Sequence, residues 1–131
     1  VRAHQRSGAA VSLLTAEIDE PTGFGRIVRA GDAVVGIVEE KDADAAQRAL
    51  REVNVGLYCV RADFLFPALR RLRPDNAQGE LYLTDIVSQA HRAGLGIGSA
   101  RADGAEGAEV STLADLAAHE KTIRQRRNRA W

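Results

Sequence analysis

The sequence has 131 residues, which is enough for one ordinary domain or a large part of one. Its 18 basic and 18 acidic residues balance, so no whole-chain field attracts nucleic acid or an anionic membrane. No run approaches the roughly 20 apolar residues that span a bilayer. The single cysteine, Cys59, cannot form an intrachain disulfide, so we expect a cytoplasmic protein without nucleic acid or membrane partners.

The first part of the chain predicts a helix, a strand and a hairpin. Residues 1–10 are compatible with a helix that closes at a glycine, and residues 11–15 form a short apolar strand. A proline and two glycines interrupt residues 19–25, which predicts a loop. Residues 26–29 and 33–40 are rich in valine and isoleucine and predict two strands around a tight turn.

The middle of the chain predicts a helix, a central strand and a second helix. Residues 42–52 have helical composition, with Asp42 or Asp44 as the N-cap. Residues 53–60 are mostly apolar and predict a strand buried on both faces. An amphipathic helix follows Asp63, with leucines at helical spacing on its inward face: Leu65, Leu69 and Leu72.

The last part of the chain predicts two further helices with a strand between them. Thr84 can cap a helix that closes at Gly94. Residues 95–100 form a glycine-containing strand, and Ser111 or Thr112 can cap a final helix. The predicted inward side of the helix after Thr84 is formed by Ile86, Ala90 and Ala93.

The interleaved helices and strands indicate the α/β class. We expect a mixed, mostly parallel sheet with an inserted hairpin and flanking helices. The residues alone leave the function open, because the chain has no His-Glu-x-x-His motif, no paired cysteines and no GxxxxGK loop. It also has no six-residue repeat typical of a left-handed β-helix.

Four segments in chain order nevertheless resemble one family. They are residues 19–26 (DEPTGFGR), 36–42 (GIVEEKD), 52–56 (EVNVG) and 75–85 (DNAQGELYLTD). Together they are similar to the uridylyltransferase domain of the bacterial bifunctional N-acetylglucosamine-1-phosphate uridylyltransferases (GlmU). The resemblance runs from about residue 1 to about residue 120, and it matches the second, C-terminal half of that domain.

The resemblance implies a Rossmann-like nucleotidyltransferase fold and a sugar-nucleotide chemistry. Members of the family join UTP to N-acetylglucosamine 1-phosphate with Mg²⁺, giving UDP-N-acetylglucosamine, a peptidoglycan precursor, and pyrophosphate. The glycine-rich nucleotide loop of the family and one magnesium-binding aspartate are expected upstream of Val1, and the β-helix of the family is expected to be missing. We therefore expect residues 1–131 to be the sugar-binding half of a nucleotidyltransferase domain, inactive alone.

The resemblance also assigns five substrate-binding residues and no catalytic residue. Gly25 would place its backbone against the sugar nucleotide, where a side chain would hold the ligand away. Glu39 ends an apolar strand and would accept hydrogen bonds from sugar hydroxyls. Asn54 would contact the N-acetyl group, and Tyr82 and Thr84, on one side of an extended segment, would both contact the ligand.

Each of these residues also has a simpler structural interpretation. Gly25 can belong to a plain turn, and Glu39 can be a solvated charge beside a strand. Asn54 can be satisfied by its own backbone, and Thr84 can serve as a helix cap. On the residues alone these alternatives stay open.

No metal ligand is assigned. The family's asparagine at the start of the last helix aligns with Ser111, and a serine hydroxyl is a less common Mg²⁺ ligand than a carboxylate or amide oxygen. Two functional alternatives also remain: a nucleotidyltransferase for another sugar phosphate, and a non-catalytic module for sugar-nucleotide binding or assembly. An exposed sheet edge and uncovered apolar surface would in addition favour self-association.

Overall fold

The computed structural model describes residues 1–102, and its first elements follow the sequence pattern. Helix α1 (Arg2–Ser7) ends at Gly8, whose φ of 68° lies in the left-handed region that glycine adopts without strain. Strand β1 (Val11–Glu17) follows directly. The predicted helix and strand are therefore confirmed.

The predicted hairpin is also confirmed. Strands β2 (Arg26–Ala30) and β3 (Ala33–Val38) pair in antiparallel orientation. Gly31, in the turn between them, has a φ of 61°. The loop that precedes β2 contains a backbone hydrogen bond of 3.0 Å from the Phe24 N–H to the Pro21 carbonyl.

The segment after the hairpin is less helical than residues 42–52 predict. A 3-10 helix (Glu40–Asp42) is followed by α2 (Ala45–Arg48), which has a single turn. Of the two candidate caps, Asp44 fills the role, because its side chain accepts a hydrogen bond of 2.7 Å from the Gln47 N–H.

The early end of α2 has a physical cause. The carbonyls of Arg48 and Leu50 accept hydrogen bonds of 3.2 and 3.1 Å from the Arg26 guanidinium, so these carbonyls are satisfied by a side chain rather than by a further helical turn. Strand β4 (Glu52–Val60) then begins at once.

The remaining elements are two helices and a strand. Helix α3 (Ala62–Arg70) follows β4, helix α4 (Asp85–Arg92) comes after a polar connection, and β5 (Ile97–Ala102) ends the described part. No helix in residues 1–102 is long and apolar enough to cross a membrane. The predicted helix that begins at Ser111 or Thr112 lies outside the described residues.

One five-stranded sheet connects these elements, in the order β3-β2-β4-β1-β5, with β4 in the centre as predicted. The α/β class and the mixed sheet are confirmed. The expectation of mostly parallel strands is wrong for residues 1–102, since β1–β5 is parallel whereas β1–β4, β2–β3 and β2–β4 are antiparallel. The hairpin accounts for two of the three antiparallel pairs, because β2 pairs with both β3 and β4, and β1–β4 is the third.

The core forms where α3 and α4 pack against the sheet. Helix α3 buries Phe64 and Ala68, which are four residues apart and share one face. Of the predicted inward leucines, Leu65 and Leu72 are partly buried and pack against this core, whereas Leu69 is 38 % exposed. Helix α4 buries Ile86 and Ala90 as predicted, together with Val87, whereas Ala93 lies beyond the helix and is exposed. The sheet side of the core comprises Val11, Leu13, Ile27, Val34 and Ile37.

Strand β4 is not buried on both faces, as had been predicted. Leu57 is 62 % exposed, and Gly56 beside it has a φ of 96°. The pairing of β4 with β1 is irregular at this point, so the apolar run does not form a regular strand throughout.

Candidate functional site

Glu39 is the residue around which the predicted site forms. It directly follows β3, so its half-buried carboxylate lies at the rim of the sheet as expected. The Thr84 hydroxyl donates a hydrogen bond of 3.1 Å to Glu39 Oε1, and Thr84 is buried. Thr84 precedes α4, but its side chain makes no capping hydrogen bond. Thr84 therefore occupies the N-cap position of α4 as predicted, but its hydroxyl binds Glu39 and not the helix backbone.

Gly25 lies directly against Glu39. A Cβ atom at Gly25 would be 3.1 Å from Ile37 Cγ2 and 3.3 Å from Glu39 Oε2. These distances are tighter than ordinary van der Waals contacts, so a side chain at this position would require Ile37 or the Glu39 carboxylate to shift by a few tenths of an ångström. The glycine thus allows a close approach to Glu39, and its backbone is not left-handed.

The backbone of Asn54 contacts the loop that contains Gly25. Its N–H donates a hydrogen bond of 2.9 Å to the Gly25 carbonyl. The Asn54 side chain accepts a bond of 3.0 Å from the Gly56 N–H and donates one of 2.8 Å to the Tyr58 hydroxyl. The structural interpretation of Asn54 is thus correct in part, because one of its two side-chain partners is a backbone group two residues away, the Gly56 N–H.

Tyr82 lies two residues before Thr84, in the segment that leads into α4. Its hydroxyl accepts a bond of 2.6 Å from Gln78 Nε2. Partial burial raises the pKa of Tyr82, the Gln78 bond lowers that pKa, and the carboxylates of Asp42 and Glu39 raise it further. The contribution of Glu39 to this pKa is the smallest of these.

The segment that carries Tyr82 and Thr84 is not extended, as had been expected. The Asp85 N–H donates a hydrogen bond of 3.1 Å to the Tyr82 carbonyl, and Thr84 has φ and ψ of −57° and −22°, which are helical values. A turn at the start of α4, and not strand alternation, brings Tyr82 and Thr84 towards Glu39.

Direct contacts thus join four of the five predicted residues, namely Gly25, Glu39, Asn54 and Thr84, and Tyr82 lies two residues before Thr84 in the chain. They come from the loop before β2, the end of β3, β4 and the start of α4. An acidic group, an amide and two hydroxyls at one rim of the sheet form a surface suited to a polyhydroxylated ligand.

The sequence reasoning missed the buried arginine that holds this loop. Arg26 is 1 % exposed, and its guanidinium donates hydrogen bonds to the carbonyls of Phe24, Arg48 and Leu50 and to Glu40 Oε2. The bond to Glu40 is 2.7 Å long. A signal was present, because an arginine that opens an apolar strand must find several acceptors if it is buried.

Glu40 also holds this loop, through its side-chain carboxylate. Besides the Arg26 guanidinium, it binds the Gly23 N–H at 2.6 Å. The hydrogen bond from Arg26 and then that from Gly23 hold the pKa of Glu40 below its ordinary value. One carboxylate therefore joins both ends of the 23–26 segment, which contains Gly25.

Tyr58 is the second residue that sequence reasoning missed. Burial raises the pKa of its hydroxyl, the Asn54 bond lowers that pKa, and the nearby Glu39 carboxylate raises it. The pattern Asn-x-Gly in the middle of an apolar strand was the available signal, because such a pattern favours a local side-chain-to-backbone hydrogen bond and a bulge.

The described residues do not provide a metal centre. Within residues 1–102 no group of three or more His, Cys, Asp or Glu side chains could hold a metal ion. Ser111, which aligns with the metal-binding asparagine of the family, lies outside these residues. The Mg²⁺ ion that the resemblance implies thus finds no fitting set of ligands here, and we assign no step to it.

No protein-family model matches the chain, but individual proteins do. The Bifunctional protein GlmU of Pelotomaculum thermopropionicum is 48 % identical over 125 residues, which are 94 % of this chain and 27 % of that protein. The GlmU of Geobacter metallireducens is 48 % identical over 131 residues, and that of Cutibacterium acnes is 54 % identical over 90. The chain belongs to the GlmU family.

The match to GlmU proteins is partial in length. The chain spans 27 % of the Pelotomaculum GlmU, 28 % of the Geobacter protein and 22 % of the Cutibacterium protein. Among solved structures, a protein described as a glucose-1-phosphate thymidylyltransferase from Bacillus anthracis, in complex with sucrose, has a TM-score of 0.63 at 21 % identity. The aligned region covers 90 % of this chain and 46 % of the Bacillus anthracis chain, so the two share a nucleotidyltransferase-type fold.

The buried arginine predicts a large loss of stability on substitution. Arg26→Met removes every donor to three carbonyls and leaves Glu40 without its cation, so we expect the free energy of unfolding to fall by about 3 kcal/mol. Arg51→Lys is the control, because Arg51 pairs with Asp19 at an exposed surface and should change stability by less than about 1 kcal/mol. Urea unfolding followed by circular dichroism measures both. Equal small effects would contradict the role of Arg26.

The lowered pKa of Glu40 predicts a dependence of stability on pH. Because folding lowers this pKa, the contribution of Glu40 is fully present above the pKa of the unfolded chain and is lost as the pH falls through the folded pKa. Glu40→Gln should therefore lower the Tm at pH 7 and reduce the drop in Tm on acidification to pH 3. Thermal scans at both values measure this, and identical drops for both proteins would contradict it.

Proposed function

We propose that this chain is the sugar-binding half of a sugar-1-phosphate nucleotidyltransferase domain, that of a GlmU protein. In the complete enzyme an oxygen of N-acetylglucosamine 1-phosphate attacks the α-phosphorus of UTP, the bond to the β-phosphate breaks, and UDP-N-acetylglucosamine and pyrophosphate are released. Gly25, Glu39, Asn54, Tyr82 and Thr84 bind the sugar phosphate or the sugar nucleotide.

The contact of Gly25, Thr84 and Glu39 is the observation that carries this proposal. Three segments that are distant in sequence supply a close-approach glycine, a hydroxyl and a carboxylate within contact of one another. A solvated glutamate at a strand end would not need a glycine against its oxygens. The arrangement supports a site in which the carboxylate is held in a fixed position before a ligand arrives.

The chemistry of each group fits a sugar. A carboxylate has two oxygens that accept several hydrogen bonds at once, so Glu39 can bind adjacent sugar hydroxyls while Thr84 fixes its orientation. The Asn54 side-chain amide offers a donor. The Tyr82 side chain offers an apolar ring edge and a hydroxyl.

The reacting groups of UTP have no obvious partners within residues 1–102. Phosphoryl and nucleotidyl transfer depend on positioning and on neutralisation of phosphate charge, for which the resemblance implies a glycine-rich loop, basic side chains and Mg²⁺. The role of the described residues is therefore to bind and orient the sugar phosphate. We place this chemistry in the cytoplasm, in keeping with the single cysteine.

The proposed role of Glu39 predicts a loss of sugar binding in a variant of the same shape. Glu39→Gln removes the charge that strengthens hydrogen bonds from sugar hydroxyls, so the Kd for N-acetylglucosamine 1-phosphate should rise by about 10- to 100-fold. Glu17→Gln is the matched control, because Glu17 is an exposed partner of Arg101 at the far end of β1. Isothermal titration calorimetry measures both variants, and equal Kd values would refute the assignment.

The proposal also predicts that the 131-residue chain alone does not turn over. With UTP, Mg²⁺ and N-acetylglucosamine 1-phosphate, pyrophosphate release should stay at the background rate, because positioning of the triphosphate is missing. A complete GlmU protein serves as the positive control. Clear turnover by the pure chain would show that the chain is more than a sugar-binding half.

A panel of sugar phosphates separates the alternatives. Preference for N-acetylglucosamine 1-phosphate supports the proposal, whereas preference for another sugar phosphate would indicate a related nucleotidyltransferase. Binding of the intact sugar nucleotide without turnover in any longer form of the protein would indicate a binding or assembly module. Self-association of the chain, expected from uncovered apolar surface such as Leu57 and Phe66, stays a prediction.

A further inference from the structure

Asn54 and Tyr58 make a hydrogen bond that a regular strand does not allow. The two residues are four positions apart on β4, which corresponds to about 13 Å along a strand. Their side chains nevertheless meet, with 2.8 Å between Asn54 Nδ2 and the Tyr58 hydroxyl oxygen. Something must therefore shorten β4 between them.

A bulge in β4 provides this shortening. On the neighbouring strand, Asn54 lies opposite Thr15 and Tyr58 lies opposite Leu13, so their partners are only two residues apart, about 7 Å. Three residues of β4 thus oppose one residue of β1. Gly56, with a φ of 96°, is the residue that accommodates this turn of the backbone.

The same bulge fixes which way the Asn54 amide faces. A backbone N–H can only donate, so the Asn54 atom that binds the Gly56 N–H at 3.0 Å must be the carbonyl oxygen Oδ1. Nδ2 therefore faces Tyr58 and donates one of its two hydrogens to the hydroxyl oxygen. The second hydrogen of Nδ2 has a defined direction and is available to a ligand.

The pair is connected to the site through Asn54, whose backbone N–H donates to the Gly25 carbonyl. The Glu39 carboxylate also contributes to the raised pKa of the Tyr58 hydroxyl. Because the Tyr58 oxygen accepts from Asn54, the proton of that hydroxyl is directed away from the amide. The Asn54 amide, whose orientation is defined by its two side-chain hydrogen bonds, thus belongs to the segment that contacts the Gly25 loop.

We propose that Tyr58 is a positioning residue, which holds the Asn54 amide so that Nδ2 donates to the acetamido carbonyl of the sugar. This inference rests on the proposed function. N-acetylglucosamine 1-phosphate has a single carbonyl oxygen, that of its acetamido group, and a carbonyl is the natural acceptor for an amide N–H. Glucose 1-phosphate has a hydroxyl in place of that group, so it cannot use the same donor in the same way. Tyr58 therefore sets the preference between the two sugars.

Tyr58→Phe tests this role, because it removes the hydroxyl and keeps the ring. The Kd for N-acetylglucosamine 1-phosphate should rise by about 5- to 10-fold, and the Kd for glucose 1-phosphate should stay within about twofold. Cys59→Ala is the matched control, since Cys59 is the next residue on the strand, points to the opposite face and should leave both values unchanged. Calorimetric titration of the 131-residue chain gives all six values.

A second measurement uses the unchanged chain and does not depend on the folding of a variant. In ¹⁵N NMR spectra, the side-chain amide signals of Asn54 should shift on addition of N-acetylglucosamine 1-phosphate and shift much less with glucose 1-phosphate. Equal losses of affinity for both sugars in Tyr58→Phe, or no loss for either, would overturn the inference and leave the proposed function intact. Failure of the unchanged chain to bind either sugar would overturn both.

Discussion

The buried guanidinium of Arg26 is the interaction on which the arrangement of the site depends. It donates hydrogen bonds to the loop before β2, to the chain at the end of α2 and to the carboxylate of Glu40, and so joins three separate segments. Burial makes this costly unless each donor has an acceptor, and here the acceptors are carbonyls that have no partner in a regular element. The satisfied charge therefore fixes both the glycine loop and the point at which β4 begins.

From that fixed loop the site follows by short steps. Gly25 meets Asn54 through the backbone and meets Glu39 by close approach, and Glu39 in turn binds Thr84. Each contact joins residues that are far apart in sequence, so the sheet and not any single segment provides the geometry. The antiparallel hairpin is essential to this, because β2 lies between β3 and β4 and so places the end of β3 one strand away from β4.

Local features of the fold could be predicted from the sequence, and features that depend on distant pairing could not. The tight turn at Gly31, the cap at Asp44 and the emergence of Glu39 from β3 depend on a few neighbouring residues. The hydrogen bond from the Thr84 hydroxyl to Glu39 joins residues 45 positions apart, so no local sequence pattern indicates it. Threonine before a helix instead suggests an N-cap. Strand direction was misjudged for the same reason, because alternation of helices and strands does not reveal which strands pair.

The bulge at Gly56 has a consequence for how this strand can change in evolution. Leu13 and Thr15 are two residues apart on β1, whereas their partners Tyr58 and Asn54 are four residues apart on β4. The bulge therefore adds two residues to β4, which is an even number. Even parity leaves Asn54 and Tyr58 on the same side of the sheet. Deletion of one residue between them would move the side chains of one half of the strand to the opposite face of the sheet. Deletion of two residues would leave every side chain on its present face, so we expect deletions and insertions here to involve two residues.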